Sequence, residues 1–210
     1  MPEKIRLCHI THIRNLAGIV KNGFLLSQSR VQAERVGFVS IAHNTLQDRR
    51  ATTPVPCGPG GTLHDYVPFY FAPRSPMLYA INQGNVEGYD EGQGPVLHLV
   101  TSIGSVLDAG VKFVFTDGHG IMAFTDFYDN LQDLDQVDWD LMKASYWADT
   151  EEDSDRRRRR QAEFLIHDRF PLQYVEEIGV IDETVQAEVE FIIKASAFQP
   201  GITVQRKWYY

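Results

Sequence analysis

The amino-acid sequence predicts an α+β fold. Strand-like and helix-like segments alternate irregularly, the strands are short, and the glycine-rich strand-turn-helix fingerprint of a doubly wound sheet is missing. With 210 residues and 43% hydrophobic content the chain can bury one good core, so a single domain over 1–210 is expected. The first element is the strand IRLCHI. It leads into THIRNLAGIVKNG, where Ile13, Leu16, Ile19 and Val20 recur at helical spacing, with Thr11 as the expected N-cap and Gly23 as the left-handed stop. His9 and Thr11 therefore fall at a strand-to-helix junction. HNTLQD reads as a helix ahead of Arg49 and Arg50, and PVPCGPGG as a loop inside the domain.

YVPFYF is aromatic and strand-like, and Ser75-Pro76 opens the next helix, PMLYAINQG, by an N-cap with proline at the first helical position. PVLHLVTS and KFVFT are two further strands, the second ending in the turn DGHG. From Asp126 to Asp149 the pattern is helix and loop. The last third reads as strand (AEFLIHD), strand (EEIGVID), helix (ETVQAEVEFIIKAS) and strand (ITVQRKWYY).

A formal charge of −8 argues against a protein that coats nucleic acid by overall attraction, yet the charge is segregated in blocks, with basic clusters at Arg49-Arg50, Arg74, Arg156 to Arg160 and Arg206-Lys207. Two cysteines without metal-ligand spacing suggest neither a disulfide framework nor a structural zinc. No apolar run approaches the ~20 residues of a membrane span and no signal-peptide core follows the start, so a cytoplasmic protein with no membrane partner is expected. The sequence has no GxGxxG, Walker loop, GxSxG or HExxH.

Strand alternation in QAEFLI puts Gln161 and Glu163 on one face and Ala162 and Phe164 on the other. Glu163 is then either a working carboxylate at a strand mouth or a strand-edge glutamate in water. Arg49 and Arg50 are either an anion fork or solvated charges complementing a helix end. His9 and Thr11 alternate with apolar neighbours, as polar groups facing a pocket or as satisfied structural residues. His119 sits between glycines that allow close backbone approach. Tyr70, Tyr146 and Trp147 are core candidates that also suit stacking on a nicotinamide or nucleobase. Arg156 to Arg160 fit phosphate contact or a solvated helix face.

Taken in order, CHITHIRNLAGIVKNG, LQDRR, GGTLHDYVPFYFAPRSPMLYAI, FVFTDGHGI, ASYWAD and RQAEFLIHD resemble the DarT family of DNA ADP-ribosyltransferase toxins over nearly the whole chain. The resemblance implies an ADP-ribosyltransferase fold, a split and mostly antiparallel sheet with flanking helices around a central cleft for NAD, used as co-substrate without a metal. It implies ADP-ribose transfer to a base, thymidine in the better-known branch, in single-stranded DNA. The partner it implies is a macrodomain antitoxin, DarG, and the chain itself would be a monomer. Residue by residue, Glu163 and Arg50 match the catalytic pair. His9, Thr11, Asn15, Gly18, Arg50 and Tyr70 match NAD-binding positions. His119 and the segment to Gln161 correspond to an enlarged substrate loop, over about 119–161, that meets the DNA; beside it Tyr146 and Trp147 suit stacking on bases and Arg74, with Arg156 to Arg160, suits phosphate contact. Two other readings remain: the same fold acting on RNA or protein, and a non-catalytic nucleic-acid-binding module.

Overall fold

The computed structural model describes residues 2–210. Ten strands and eight α-helices follow in chain order: β1 (Arg6–His12), α1 (Ile13–Asn22), β2 (Phe24–Leu26), α2 (Gln28–Ala33), α3 (Asn44–Thr52), β3 (Tyr66–Tyr70), α4 (Pro76–Asn82), β4 (Val96–Ser102), α5 (Ile103–Asp108), β5 (Phe113–Thr116), β6 (Phe127–Tyr128), α6 (Trp139–Lys143), α7 (Arg156–Arg159), β7 (Glu163–His167), β8 (Arg169–Pro171), β9 (Glu177–Val180), α8 (Glu183–Ile193) and β10 (Gly201–Val204). Eight strands make one sheet in the order β10-β9-β4-β1-β3-β7-β5-β6, while β2 and β8 pair separately. Every neighbouring pair is antiparallel except β9 and β10, which confirms the α+β class.

The sheet is split. β1 pairs with β4 along its whole length and β3 with β7 from Tyr66↔His167 to Tyr70↔Glu163, but β1 and β3 align only at Cys8↔Tyr70. Two half-sheets thus diverge between β1 and β3, and polar side chains of both face the gap. Behind it, Leu7, Leu97, Leu99, Phe69, Phe164 and Ile166 are fully buried in one large core. Phe164 anchors this core, stacked on Phe113 with ring centres 4.9 Å apart and edge-on to Phe71 at 6.1 Å.

Most local signals act as their chemistry dictates. Gly23 takes φ 73° and stops α1, and Ser75 accepts a hydrogen bond from the Leu78 N–H at the start of α4. Three expectations change. Thr11 stays in β1 and the cap of α1 is His12, whose Nδ1 accepts from the Arg14 N–H at 3.1 Å. Arg49 and Arg50 lie inside the last turn of α3 rather than after it. The last strand ends at Val204, and Arg206–Trp208 forms a 3-10 turn that seats Trp208 against Gly179. Among the described residues no helix is long and apolar enough to cross a membrane.

Candidate active site

Glu163 opens β7 and is 1% exposed, so it is not a strand-edge side chain in water. A buried carboxylate must be paired or hydrogen-bonded, and each oxygen has its own donor. Oε1 accepts from Arg50 Nη1 at 2.8 Å, and Oε2 accepts from the Gly120 N–H at 3.1 Å. Gly120 has to be small: a Cβ there would lie 3.0 Å from Glu163 Oε2 and 3.2 Å from Leu63. The turn that carries Gly120 is fixed from below, since the Glu163 N–H donates to Thr116 Oγ1 at 3.0 Å and that hydroxyl donates to the Gly118 carbonyl at 2.7 Å.

Arg50 reaches Glu163 from the last turn of α3, across 113 residues of sequence. Arg49, one residue earlier, donates to the Ile121 carbonyl at 3.0 Å and tethers the same turn to α3. The two arginines therefore do different work. His119 Nδ1 stands 3.9 Å from Glu163 Oε2, beyond hydrogen-bond reach. Burial pushes its pKa down, against the Glu163 charge and with the Arg50 charge, so its ring is neutral at pH 7. Both Arg50 Nη2 and His119 Nδ1 are buried without a partner. Unpaired polar atoms of this kind cost on the order of 1–3 kcal/mol each, which an incoming polar ligand would recover.

These groups line a cleft of about 520 Å³ in the gap between the half-sheets. His9, Thr11, Asn15, Gly18, Arg50, Tyr70, His119 and Glu163 all face it, so one cavity gathers the predicted catalytic and NAD-binding residues with His119. His9 Nδ1 lies 2.8 Å from the Pro68 carbonyl, which can only accept, so Nδ1 carries the proton. Burial lowers the His9 pKa, and the neutral ring keeps Nε2 as an acceptor. Asn15 donates to Thr11 Oγ1 at 3.1 Å and brackets Val39, donating to its carbonyl at 3.0 Å and accepting from its N–H at 2.7 Å. In this way α1 holds the 36–42 segment as a wall of the cleft. A Cβ on Gly18 would meet nothing within 4 Å, leaving room for close ligand approach. Burial, reinforced by the Glu163 charge, raises the Tyr70 pKa and keeps its hydroxyl protonated.

The same cleft holds residues not foreseen from the sequence: the 36–42 wall and the pair Gln47–His64, 3.1 Å apart. Gln47 had a readable signal, since it precedes Arg50 by three residues on one helix face. The 36–42 wall has no periodic pattern and becomes visible only through its bonds to Asn15.

Arg74, Tyr146 and Trp147 lie outside this cleft. The Arg74 guanidinium covers the Tyr210 ring at 4.5 Å, Trp147 meets Tyr79 edge-on at 5.6 Å, and Tyr146 is 67% exposed. Arg157 is exposed and its guanidinium has no partner among the described residues, but the other four arginines of the block are neither a free phosphate track nor a solvated face. Arg158 binds Asp155 and Asp117, Arg159 binds Asp138 and Asp153, Arg156 donates to the Tyr146 and Ala148 carbonyls, and Arg160 is buried on main-chain carbonyls. Among the described residues no group of three or more His, Cys, Asp or Glu side chains is placed to hold a metal ion.

A split antiparallel sheet, a glutamate locked by an arginine on its floor, and a histidine-threonine strand along the opposite wall define the ADP-ribosyltransferase class. The family model described as DarT, an ssDNA thymidine ADP-ribosyltransferase, matches residues 8–210. The chain belongs to this family. A DNA ADP-ribosyl transferase of Thermus sp. strain 2.9 is 47% identical over 211 residues, covering 100% of this chain and 98% of the relative, and one of Escherichia coli O127:H6 is 35% identical over 209 residues, covering 100% and 95%. The structure of Thermus sp. 2.9 DarT in complex with ADP-ribosylated ssDNA superposes with a TM-score of 0.93 at 46% identity, covering 100% of this chain and 98% of that one. Thermus sp. 2.9 DarT in complex with carba-NAD+ gives 0.89 at 45%, with full coverage of both.

Proposed function

We propose that this chain transfers ADP-ribose from NAD to thymidine in single-stranded DNA, acting over 1–210 as one catalytic unit whose 119–161 segment meets the DNA. The observation that carries the reading is Glu163, buried on the cleft floor with both oxygens oriented by Arg50 and Gly120. NAD, when bound, supplies the ADP-ribosyl group and loses nicotinamide as a neutral amine, so no metal is required. The cleft suits it: its volume is that of a cofactor site, Gly18 leaves room, and Arg50 Nη2 and His119 Nδ1 lack partners.

Glu163 would accept a hydrogen bond from a ribose hydroxyl, an interaction that strengthens as positive charge builds on the ring. A guanidinium offers donors and no acceptor, so the role of Arg50 is to hold the Glu163 carboxylate in one orientation and offer Nη2 to a substrate oxygen. His119, kept neutral by burial, presents a nitrogen able to take a proton from the incoming base. His9 Nε2 and Thr11 line the same cleft and would offer NAD an acceptor and a hydroxyl. A base inside a duplex is hidden, so a single strand avoids an unstacking cost of a few kcal/mol. Arg74, Tyr146 and Trp147, outside the cleft, are the residues we assign to flanking nucleotides, a guanidinium for phosphate and two rings for bases.

A relative of Thermosipho africanus, 23% identical over 194 residues, is a DNA ADP-ribosyl transferase–DNA ADP-ribosyl glycohydrolase fusion protein. By that likeness we assign this chain a glycohydrolase partner, a macrodomain antitoxin whose toxin it would be; that it acts as a cytoplasmic monomer is our reading of the sequence and does not follow from the fusion. The test is incubation with labelled NAD and matched single-stranded DNA, RNA and protein. Label should enter DNA that contains thymine; label confined to RNA or protein overturns the acceptor, and no nicotinamide release at all overturns the enzyme.

A further inference from the structure

One polar pair on the cleft wall, Gln47 and His64, takes no part in holding Glu163. Gln47 lies one turn before Arg50 on α3, so both side chains reach the cleft from the same helix face. His64 is 8% exposed, and its Nε2 lies 3.1 Å from Gln47 Oε1. An amide oxygen can only accept, so Nε2 carries the proton. Burial, and with it the Arg50 charge, pushes the His64 pKa down, so the ring is neutral at pH 7.

Turning the Gln47 amide over would set its NH2 against the His64 N–H, donor against donor. His64 therefore decides which end of the amide it meets. Gln47 Nε2, which has no hydrogen bond among the described residues, is left with both N–H groups to offer. The turn that carries His64 is itself held firmly. Asp65 Oδ2 accepts from the Thr62 N–H at 2.8 Å, Oδ1 accepts from the Ser29 hydroxyl at 2.6 Å, and the Asp65 carbonyl accepts from the Asp168 N–H at 2.7 Å.

The position of the pair says which substrate it meets. Leu63, next to His64, lies so near Gly120 that a Cβ there would come within 3.2 Å of it. The His64 turn therefore packs on the turn of His119 and Gly120, whereas His9, Thr11, Asn15 and Gly18 line the cleft from β1 and α1. The free Gln47 amide thus belongs with the unpaired Arg50 Nη2 and His119 Nδ1. Thymine has one ring N–H, set between two carbonyls. As that proton passes to the neutral His119, the nitrogen lone pair forms the bond to the ribose carbon, and the ribose–nicotinamide bond breaks with its electron pair leaving on nicotinamide. Negative charge spreads onto the carbonyls as the proton departs, so a donor aimed at one of them binds the transition state more tightly than the ground state.

We propose that Gln47 is a catalytic residue of this reaction: its Nε2, beside Arg50 Nη2, donates to a thymine carbonyl next to the reacting nitrogen, and His64 is the positioning residue that turns the donor toward the base. The assignment deepens the proposed transfer to thymidine and rests on it.

The test is kcat at saturating NAD on oligodeoxynucleotides carrying thymine, 2-thiothymine or 4-thiothymine at the reactive position. A thiocarbonyl is the weaker acceptor, and its effect on the acidity of the ring N–H is common to all variants and cancels when their ratios are compared. Gln47→Ala should lower kcat on thymine by about a hundredfold, and on one of the two thio bases by about tenfold or less. Gln47→Glu keeps the size and still accepts from His64 but has no donor, and should lose at least as much on thymine. His64→Phe should show the same dependence on the base and cost almost nothing further in the Gln47→Ala background, since it acts through Gln47. Equal losses on all three bases overturn the assignment: with NAD affinity unchanged Gln47 is structural, and with NAD affinity lowered it belongs to the cofactor. A full further loss from His64→Phe in the Gln47→Ala background overturns the positioning role. In each of these results the wild type still modifies thymine; wild type that labels none of the three overturns the acceptor and the role of Gln47 together.

Discussion

Two arginine–carboxylate arrangements lie at either end of the short stretch from Asp155 to Glu163, and they use the same chemistry in opposite ways. In the first, Arg158 and Arg159 are saturated. Arg158 binds Asp155 and Asp117 and also reaches Thr125 Oγ1 at 3.4 Å, while Arg159 binds Asp138 and Asp153. They pin the loop between β5 and β7 to itself. In the second, Arg50 and Glu163 leave the arginine with an unpaired buried nitrogen beside a cavity and an unpaired His119 nitrogen next to it. Charge density alone would have chosen the five arginines as the functional feature. The state of satisfaction chooses Glu163, because a closed network has nothing left to offer a ligand and an open one does.

The sharpest way to break this contrast is Glu163→Gln, which keeps the shape and one acceptor oxygen but removes the charge. ADP-ribose transfer should fall by roughly a thousandfold, about 4 kcal/mol of transition-state stabilisation, with NAD binding retained in calorimetry. Transfer at near the wild-type rate would move the catalytic role off the cleft floor.

Buried histidines extend the comparison to pH. His98 has both nitrogens engaged, Nε2 with the Pro73 carbonyl at 3.0 Å and Nδ1 with the Tyr209 hydroxyl at 3.2 Å, and burial pushes its pKa down to about 4. Between about pH 6.5 and 4 the unfolded chain binds a proton there and the folded chain does not. Stability from His98 is therefore fully present above that window and lost as pH falls through it, by up to about 3 kcal/mol. His119, lowered by the same cause, adds loss of the same sign. Urea denaturation at pH 7 and pH 4.5 measures the difference, and a His98→Gln variant should lack its share.

The saturated side predicts a loss of stability in place of a loss of chemistry. Arg158→Ala removes the bridge between Asp155 and Asp117 and should cost about 1–2 kcal/mol, on the order of 3–6 °C in Tm. Activity per folded molecule should stay within a few-fold at a temperature where the variant is folded. A thousandfold loss there would mean that this network is part of the site.

What the sequence made legible follows the range of each interaction. Gly23, Ser75-Pro76 and the alternation in YVPFYF and AEFLIHD are set by neighbours within a turn, and those elements appear where expected. Short elements without a marker, α5 in IGSVLD and the three-residue strands β2 and β8, were not foreseen. His12 takes the cap from Thr11 because α1 begins at Ile13, which leaves His12, the last residue of β1, as the side chain whose Nδ1 reaches the Arg14 N–H. Glu163 could be singled out as a polar residue opening an apolar strand, but its partner Arg50 is 113 residues away, and only the family resemblance linked them. The aspartates that bind Arg158 and Arg159 lie as far back as Asp117, so the arginine block looked free when it was not.

Arg157 makes the finest test of that last point. It is the member of the block that is exposed and whose guanidinium has no hydrogen bond or ion pair among the described residues, although its N–H donates to Asp149 at 2.8 Å. Arg157→Gln keeps the backbone bond and the helical preference and removes a charge that touches no protein group. By the logic of satisfaction it should change the denaturation midpoint by less than about 0.5 kcal/mol, while its neighbour Arg158 changes it by several times as much. Adjacent residues of one type would then differ in worth solely through what they touch. Equal losses at 157 and 158 would show instead that the block acts through its summed charge, and the distinction between the closed and the open network would fail where it is easiest to measure.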